Sequence, residues 1–223
     1  MNLTKQYEDI GKDYISGQKE FFSDKEDRAM TFILNNLPDL KNKIILDVGC
    51  GNGNNILKYN NLGAKKVFGI DSSKVMVDEA KKIVKEPDNI FIGNMNKLPF
   101  KDKFFDIIIG KHSIHYLENL DEAYIEFARV LKKGGILILI AHHPIFGYMQ
   151  LGAKDYLKKD AVEMKLYEKV KIKFFHHTFK EYFSDALFKS FRIEYFDEHK
   201  PSGKKYSNEW NVPTYMEFKA VRK

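Results

Sequence analysis

Short aliphatic runs alternate with stretches in which apolar residues recur every three or four positions, and this rhythm persists from Ile44 to Ala141. Apolar runs bounded by turn formers read as buried strands, and the wider spacing reads as one face of a helix. Strands are therefore expected over Ile44–Val48, Lys66–Ile70, Asn89–Gly93, Phe104–Lys111 and Ile136–Ala141. Helices are expected over Asp24–Asn36, Asn54–Asn60 and Lys74–Lys85, with another after Asn119 that carries Ala123, Phe127, Val130 and Leu131. Ser23-x-x-Glu26 and Asn119-x-x-Glu122 have the form of capping boxes, and Gly134 suits a left-handed helix C-cap.

Beyond Ala141 the rhythm loosens. Positions 142–167 show no clear period, Glu168–Phe175 alternates like a strand, and Thr178-x-x-Glu181 caps a helix holding Tyr182, Phe183, Leu187 and Phe188. Arg192–Glu198 and Tyr215–Val221 read as two final strands. Strands alternating with helices imply a parallel sheet in an α/β fold. The chain has 223 residues, 43% of them hydrophobic, which suits one domain over 1–223 with a full core.

The first strand runs into Asp47-Val48-Gly49-Cys50-Gly51-Asn52-Gly53. Glycines there let backbone N–H groups approach a ligand closely, so a nucleotide-like ligand is the first reading. A dinucleotide fingerprint needs Gly-x-Gly-x-x-Gly, and its third glycine is replaced here by Asn54, which disfavours NAD. Asp71 ends the second strand, 22 positions beyond Gly49, where a carboxylate can accept both hydroxyls of a ribose.

The strand, acid and Gly-x-Gly-x-Gly together resemble the first motif of class I S-adenosylmethionine (SAM) dependent methyltransferases. Asn94-Met95-Asn96-Lys97-Leu98-Pro99-Phe100 is similar to that family's Asp-x-x-x-Leu-Pro-Phe element, and Arg129-Val130-Leu131-Lys132-Lys133-Gly134-Gly135 to its Arg-Val-Leu-Lys-Pro-Gly-Gly signature. The resemblance spans five elements from Ile44 to Ala141. It implies a Rossmann-like, seven-stranded, mostly parallel sheet with helices on both faces and an antiparallel last strand. It also implies a lid from 1–37 and a small cap over 142–177, after the fifth strand.

The same resemblance assigns Asp47, Gly49, Cys50, Gly51, Asn52, Asp71, Ser72, Met76, Asn94, Met95 and Lys111 to the cofactor, with S-adenosyl-L-homocysteine as product. Asn94 stands where the family has Asp, and its amide oxygen can still accept from an adenine amino group. His112 and His115 follow the fourth strand, where a catalytic base is expected, and an ordinary imidazole pKa near ~6.5 suits that task. Tyr14, Tyr116, His142 and His176 are the expected acceptor-binding side chains. The Asn/Asp-Pro-Pro-Tyr/Phe motif of enzymes that methylate exocyclic amines of bases is missing. The expected activity is methyl transfer from SAM to an oxygen or nitrogen of a small molecule; a tRNA-modifying enzyme and a non-catalytic SAM-binding protein are the alternatives.

Charge and cysteine content adjust this picture only slightly. The net charge is +6, with 16 basic and 11 acidic residues in the last 70 positions, yet only four of the 37 basic residues are arginine. A solvated lysine-rich surface explains this better than nucleic-acid binding. Cys50 is the only cysteine, which excludes an internal disulfide and fits a reducing cytoplasm. The N-terminal stretch is charged and lacks the apolar core of a secretory signal, and no run is long enough to span a bilayer. Neither zinc spacing nor a clustered-carboxylate magnesium site is present in the sequence, so no metal is expected.

Overall fold

The computed structural model describes residues 3–21, 27–150, 155–167, 170–199 and 212–223. A seven-stranded sheet is built from β1 (Ile44–Val48), β2 (Lys66–Asp71), β3 (Ile90–Ile92), β4 (Phe105–Lys111), β5 (Leu131–His142), β8 (Phe191–His199) and β9 (Tyr215–Arg222). Its order is β3-β2-β1-β4-β5-β9-β8, with β9 antiparallel to both its neighbours and the other pairs parallel. β1 and β4 lie side by side although β2 and β3 intervene in sequence. The chain leaves these two strands in different directions, which opens a crevice at their carboxyl ends.

Helices cover both faces because every central strand buries both of its faces. On one side α2 (Arg28–Asn36), α3 (Asn54–Asn61) and α4 (Lys74–Ile83) pack Ile33, Ile56 and Val77 against Ile45, Ile107 and Ile138. On the other, α5 (Leu120–Val130) and the short helices α7 (Phe179–Tyr182) and α8 (Asp185–Ser190) pack Phe127, Tyr182 and Leu187 against Leu46, Ile108 and Leu139. The alternation along β1 places Asp47 on the first side, 1% exposed.

A smaller layer lies above the crevice. β6 (Ala161–Leu166) and β7 (Val170–Phe175) form an antiparallel ribbon, preceded by α6 (Pro144–Gln150). The ribbon turns Val162, Val170, Ile172 and Phe174 inward and leaves Glu163, Lys165, Lys171 and Lys173 exposed. Helix α1 (Tyr7–Phe21) is held between this ribbon and α4. A Cβ on Gly11 would meet Val75 Cγ1 at 3.0 Å, and one on Gly17 would meet Tyr167 Cβ at 2.8 Å, so α1 packs this closely only with glycine there. The Gln6 side chain donates to Lys173 O and accepts from Lys173 N, both at 2.8 Å, and Glu8 accepts from the Lys74 amide at the start of α4.

Several local expectations are corrected. α2 starts at Arg28 with Asp27 as its N-cap, the carboxylate accepting from the Met30 amide at 3.1 Å; Ser23 to Glu26 lie outside the described residues. Gly134 is left-handed (φ 74°), but α5 has already ended at Val130 and β5 begins at Leu131, so Gly134 bends a strand instead of capping a helix. The helix expected after Thr178 is two helices, because Ser184 stops the first and caps the second by accepting from Leu187 N. Among the described residues no helix is long and apolar enough to cross a membrane.

Candidate functional site

The crevice at the switch between β1 and β4 is a cleft holding about 680 Å³ of space, open solvent at its mouth included. The glycine loop builds one part of it. Gly49 and Gly51 have φ of 71° and 53°, and the amides of Gly49 and Cys50 donate to Ile70 O at 2.8 and 3.1 Å. A Cβ on Gly49 would fall 2.3 Å from Ser113 Cβ, so the loops after β1 and β4 touch there. Ser113 fixes the same junction by donating from Oγ to Val48 O at 2.7 Å. Gly51 lines the cleft, and a Cβ on it would meet no atom within 4 Å.

Asp71 lies opposite. Its Oδ2 accepts from Gly51 N at 2.8 Å and its Oδ1 from Ser73 N at 2.9 Å. Burial pushes its carboxyl upward, against the pull of the Ser73, Gly51 and Ser72 amides. Ser72, Met76, Asn94 and Met95 line the cleft. Lys111, at the end of β4, also lines the cleft and forms an ion pair with Asp27; burial lowers its pKa against the influence of that partner.

Tyrosines and one histidine complete the lining of the cleft. Tyr7, Tyr14, Tyr116, Leu117 and His112 line it. The Tyr7 and Tyr116 hydroxyls share a hydrogen bond of 2.7 Å, and Tyr7 meets Tyr14 and Tyr116 edge to face at 5.1 and 5.6 Å. His112 takes a left-handed backbone (φ 53°) while its amide donates to Ile140 O at 2.9 Å. Its ring sits 4.5 Å from that of Tyr215, and its Nδ1 is buried without a hydrogen-bond partner among the described residues. Burial first, and the nearby Lys111 charge second, hold the His112 pKa well below the ordinary imidazole value.

Six of the residues singled out from the sequence lie elsewhere. Asp47 sits beneath the loop, its carboxyl pushed up to about 7 by burial despite the nearby Lys111. Cys50 is buried, with its Sγ against Gly69, and burial raises its thiol pKa, which leaves it unsuited to act as a nucleophile. Asn52 is half-buried and does not line the cleft. His115 is 0% exposed, enclosed by His142, Tyr116 and Phe174 with ring separations of 4.3, 4.5 and 5.4 Å. His142 stacks on Phe174 at 4.2 Å, and burial lowers its pKa to about 3. His176 packs on Gly147 and uses Nε2 on Tyr156 O at 3.1 Å, inside the upper layer.

Conversely, Tyr7, Ile70, Gly93, Ser113 and Leu117 line the cleft without having been singled out. Tyr7, Ile10 and Tyr14 share one helical face, and that spacing was the available signal for Tyr7. Among the described residues no three His, Cys, Asp or Glu side chains are grouped to hold a metal ion.

Residues 46–139 match the family described as a methyltransferase domain. The chain is 33% identical over 122 residues to an uncharacterized protein of Haemophilus influenzae, covering 51% of this chain and 47% of that protein. It is 30% identical over 95 residues to the malonyl-[acyl-carrier protein] O-methyltransferase of Yersinia pestis, covering 43% and 35%. The matched region thus spans about half or less of these curated relatives. A solved S-adenosylmethionine dependent methyltransferase from Mesorhizobium loti superposes with a TM-score of 0.73 at 23% identity, over 87% of this chain and 98% of its own. Residues 46–139, which carry the glycine loop, Asp71, Asn94 and His112, thus match a methyltransferase domain, and the fold is that of a solved SAM-dependent methyltransferase.

Proposed function

We propose that this protein transfers the methyl group of SAM to an oxygen or nitrogen of a small molecule, with both reactants in the one cleft. The observation that carries this reading is that one cleft is lined both by the glycine loop and Asp71 and by Tyr7, Tyr14, Tyr116 and His112. The glycine-loop side suits the cofactor: Gly51 opens onto the cleft, and the half-buried Asp71 carboxylate lines it with acceptor capacity beyond the Ser73, Gly51 and Ser72 amides. In this reading Asp71 accepts the ribose hydroxyls, Asn94 accepts the adenine amino group, and Met76 and Met95 pack beside the nucleoside. Gly49, Gly51 and the Lys111 backbone surround the methionine part.

When bound, SAM supplies a methyl carbon on a positively charged sulfur, and that bond breaks with its electron pair passing to sulfur. The chain's own task is to align the acceptor, exclude water and take up a proton where the nucleophile carries one. In this reading His112, which lines the cleft, takes it. Tyr7 and Tyr14 from α1 close the cleft from above, and the ribbon backs them, which is the role proposed for 1–37 and 142–177. A reducing, cytoplasmic setting suits the single buried thiol.

Two measurements test this. Calorimetric titration with SAM, S-adenosylhomocysteine and NAD should give micromolar binding of the sulfur nucleotides and none of NAD. Incubation of labelled SAM with a metabolite extract should then label a small-molecule fraction. Tight SAM binding with no transfer to any fraction would refute catalysis and leave a binding protein.

A further inference from the structure

We infer that the methyl acceptor is an uncharged aromatic ring bearing a hydroxyl, a phenol, held on the Tyr7–Tyr14–Tyr116 wall with its hydroxyl against His112. This rests on the methyltransferase reading and narrows it to one acceptor class.

The wall itself selects for a ring. Tyr7 meets Tyr14 and Tyr116 at interplanar angles of 87°, so the wall presents both ring faces and ring edges. A flat aromatic guest gains edge-to-face contact from such a surface at little entropic cost. The ribbon supplies apolar backing through Ile172 and Phe174, whose cluster packs against all three tyrosines.

Charge then decides among ring-bearing acceptors. Burial raises the pKa of each tyrosine on the wall, so all three remain neutral phenols. His112 is neutral through burial and the adjacent Lys111 charge, and both causes disfavour a second cation beside it. Lys111 is already paired with Asp27. The charged groups of the lining, Asp71 and Lys111, are engaged by the Gly51 and Ser73 amides and by Asp27, so a carboxylate or ammonium placed against this wall would be desolvated among neutral tyrosines without a free opposite charge of its own. At neutral pH an alkylamine is a cation, whereas a phenol with its ordinary pKa of about 10 enters uncharged.

The hydroxyl has a matching partner. A neutral imidazole offers one ring nitrogen as acceptor, and the left-handed backbone of His112, uncommon outside glycine, holds that ring in the cleft wall. As the phenol oxygen forms its bond to the methyl carbon, the carbon–sulfur bond breaks with its electron pair left on sulfur, and the phenol proton passes to the imidazole. The oxygen ends as a neutral aryl ether, and the imidazolium, which burial and Lys111 disfavour, gives its proton up to solvent at once.

The test uses three rings of one size on the intact protein: 4-methylphenol, 4-methylbenzoate and 4-methylbenzylamine. Calorimetry with S-adenosylhomocysteine comes first, and a failure there refutes the methyltransferase reading itself. With that ligand saturating, 4-methylphenol should bind at least about tenfold more tightly than either charged ring, as an uncompensated charge predicts. H112N tolerates the left-handed backbone; it should keep S-adenosylhomocysteine affinity while losing at least about tenfold of O-methylation of 4-methylphenol by labelled SAM. Equal or tighter binding of the benzoate or the benzylamine, no binding of the phenol, or unchanged methylation by H112N would overturn the inference.

Discussion

The amide of Gly51 donates to Oδ2 of Asp71 at 2.8 Å, joining the glycine loop to the tip of the neighbouring strand. The side chain expected to hold the ribose therefore also fixes the loop that faces it. D71A removes both functions, and each lost charge-assisted hydrogen bond is worth about 1.5–3 kcal/mol. S-adenosylhomocysteine affinity should fall at least about 30-fold by calorimetry, with the circular dichroism spectrum unchanged. Unaltered affinity would refute the ribose assignment.

Three glycines with positive φ separate backbone strain from ligand obstruction. Gly63→Ala (φ 88°, open space around a Cβ) carries strain alone and should cost about 1 kcal/mol of stability with no change in ligand affinity. Gly51→Ala (φ 53°, also open) should cost a similar amount of stability and additionally weaken ligand binding, because its Cβ enters the cleft. Gly49→Ala would place its Cβ 2.3 Å from Ser113 Cβ and should destabilise the fold by more than about 3 kcal/mol. Denaturant melts and calorimetry on the three variants test this order.

Tyr7 and Tyr116 couple α1 to the turn after β4 through a single hydroxyl pair. Y7F and Y116F should each cost about 1 kcal/mol, and the double variant little more, giving a coupling energy of about 1 kcal/mol. Amides of α1 should exchange faster in either variant. Strict additivity would mean that the pair contributes nothing to holding α1.

Asp47 gives the fold a pH dependence of known sign. Its folded pKa of about 7 exceeds the ordinary carboxylate value of 3.8, so the folded state binds the proton more tightly than the unfolded chain. Its contribution is fully present below the unfolded value and is lost as pH rises through 7. Between pH 4 and pH 8 the wild type should lose stability relative to D47N, on the order of 4 kcal/mol. Urea melts of both proteins across that range measure it; parallel curves would show that Asp47 is not protonated in the folded state.

The central strands were legible because parallel strands buried on both faces leave continuous aliphatic runs such as Ile107–Ile109 and Ile136–Ile140. The glycine loop and Asp71 were legible because their conformations and position demand particular residues. The histidines were harder to place. His112 and His115 are three residues apart, but a tight turn (Ile114–Tyr116) leaves the first on the cleft and encloses the second behind Tyr116 and Phe174. The ribbon was only half legible, since Val162, Met164 and Leu166 alternate with charged residues over too short a span to stand out from 142–167. Tyr7 belongs to the segment expected as a lid, but its place on the cleft was not legible, because an amphipathic helix packs by its aromatic face whether or not a ligand lies beneath it.

The β6–β7 ribbon forms a sheet of its own and lies outside residues 46–139, yet it backs the tyrosines of α1 that line the cleft. The groups that would hold SAM and those that would choose its acceptor are therefore carried on different stretches of chain. Insertions, deletions or swaps within 155–175 can reshape the acceptor wall while leaving Asp71 and the glycine loop untouched. Under the proposed function, such an arrangement lets a lineage change its acceptor without relearning how to bind the methyl donor, and it marks the ribbon as the segment to exchange when a new acceptor is sought.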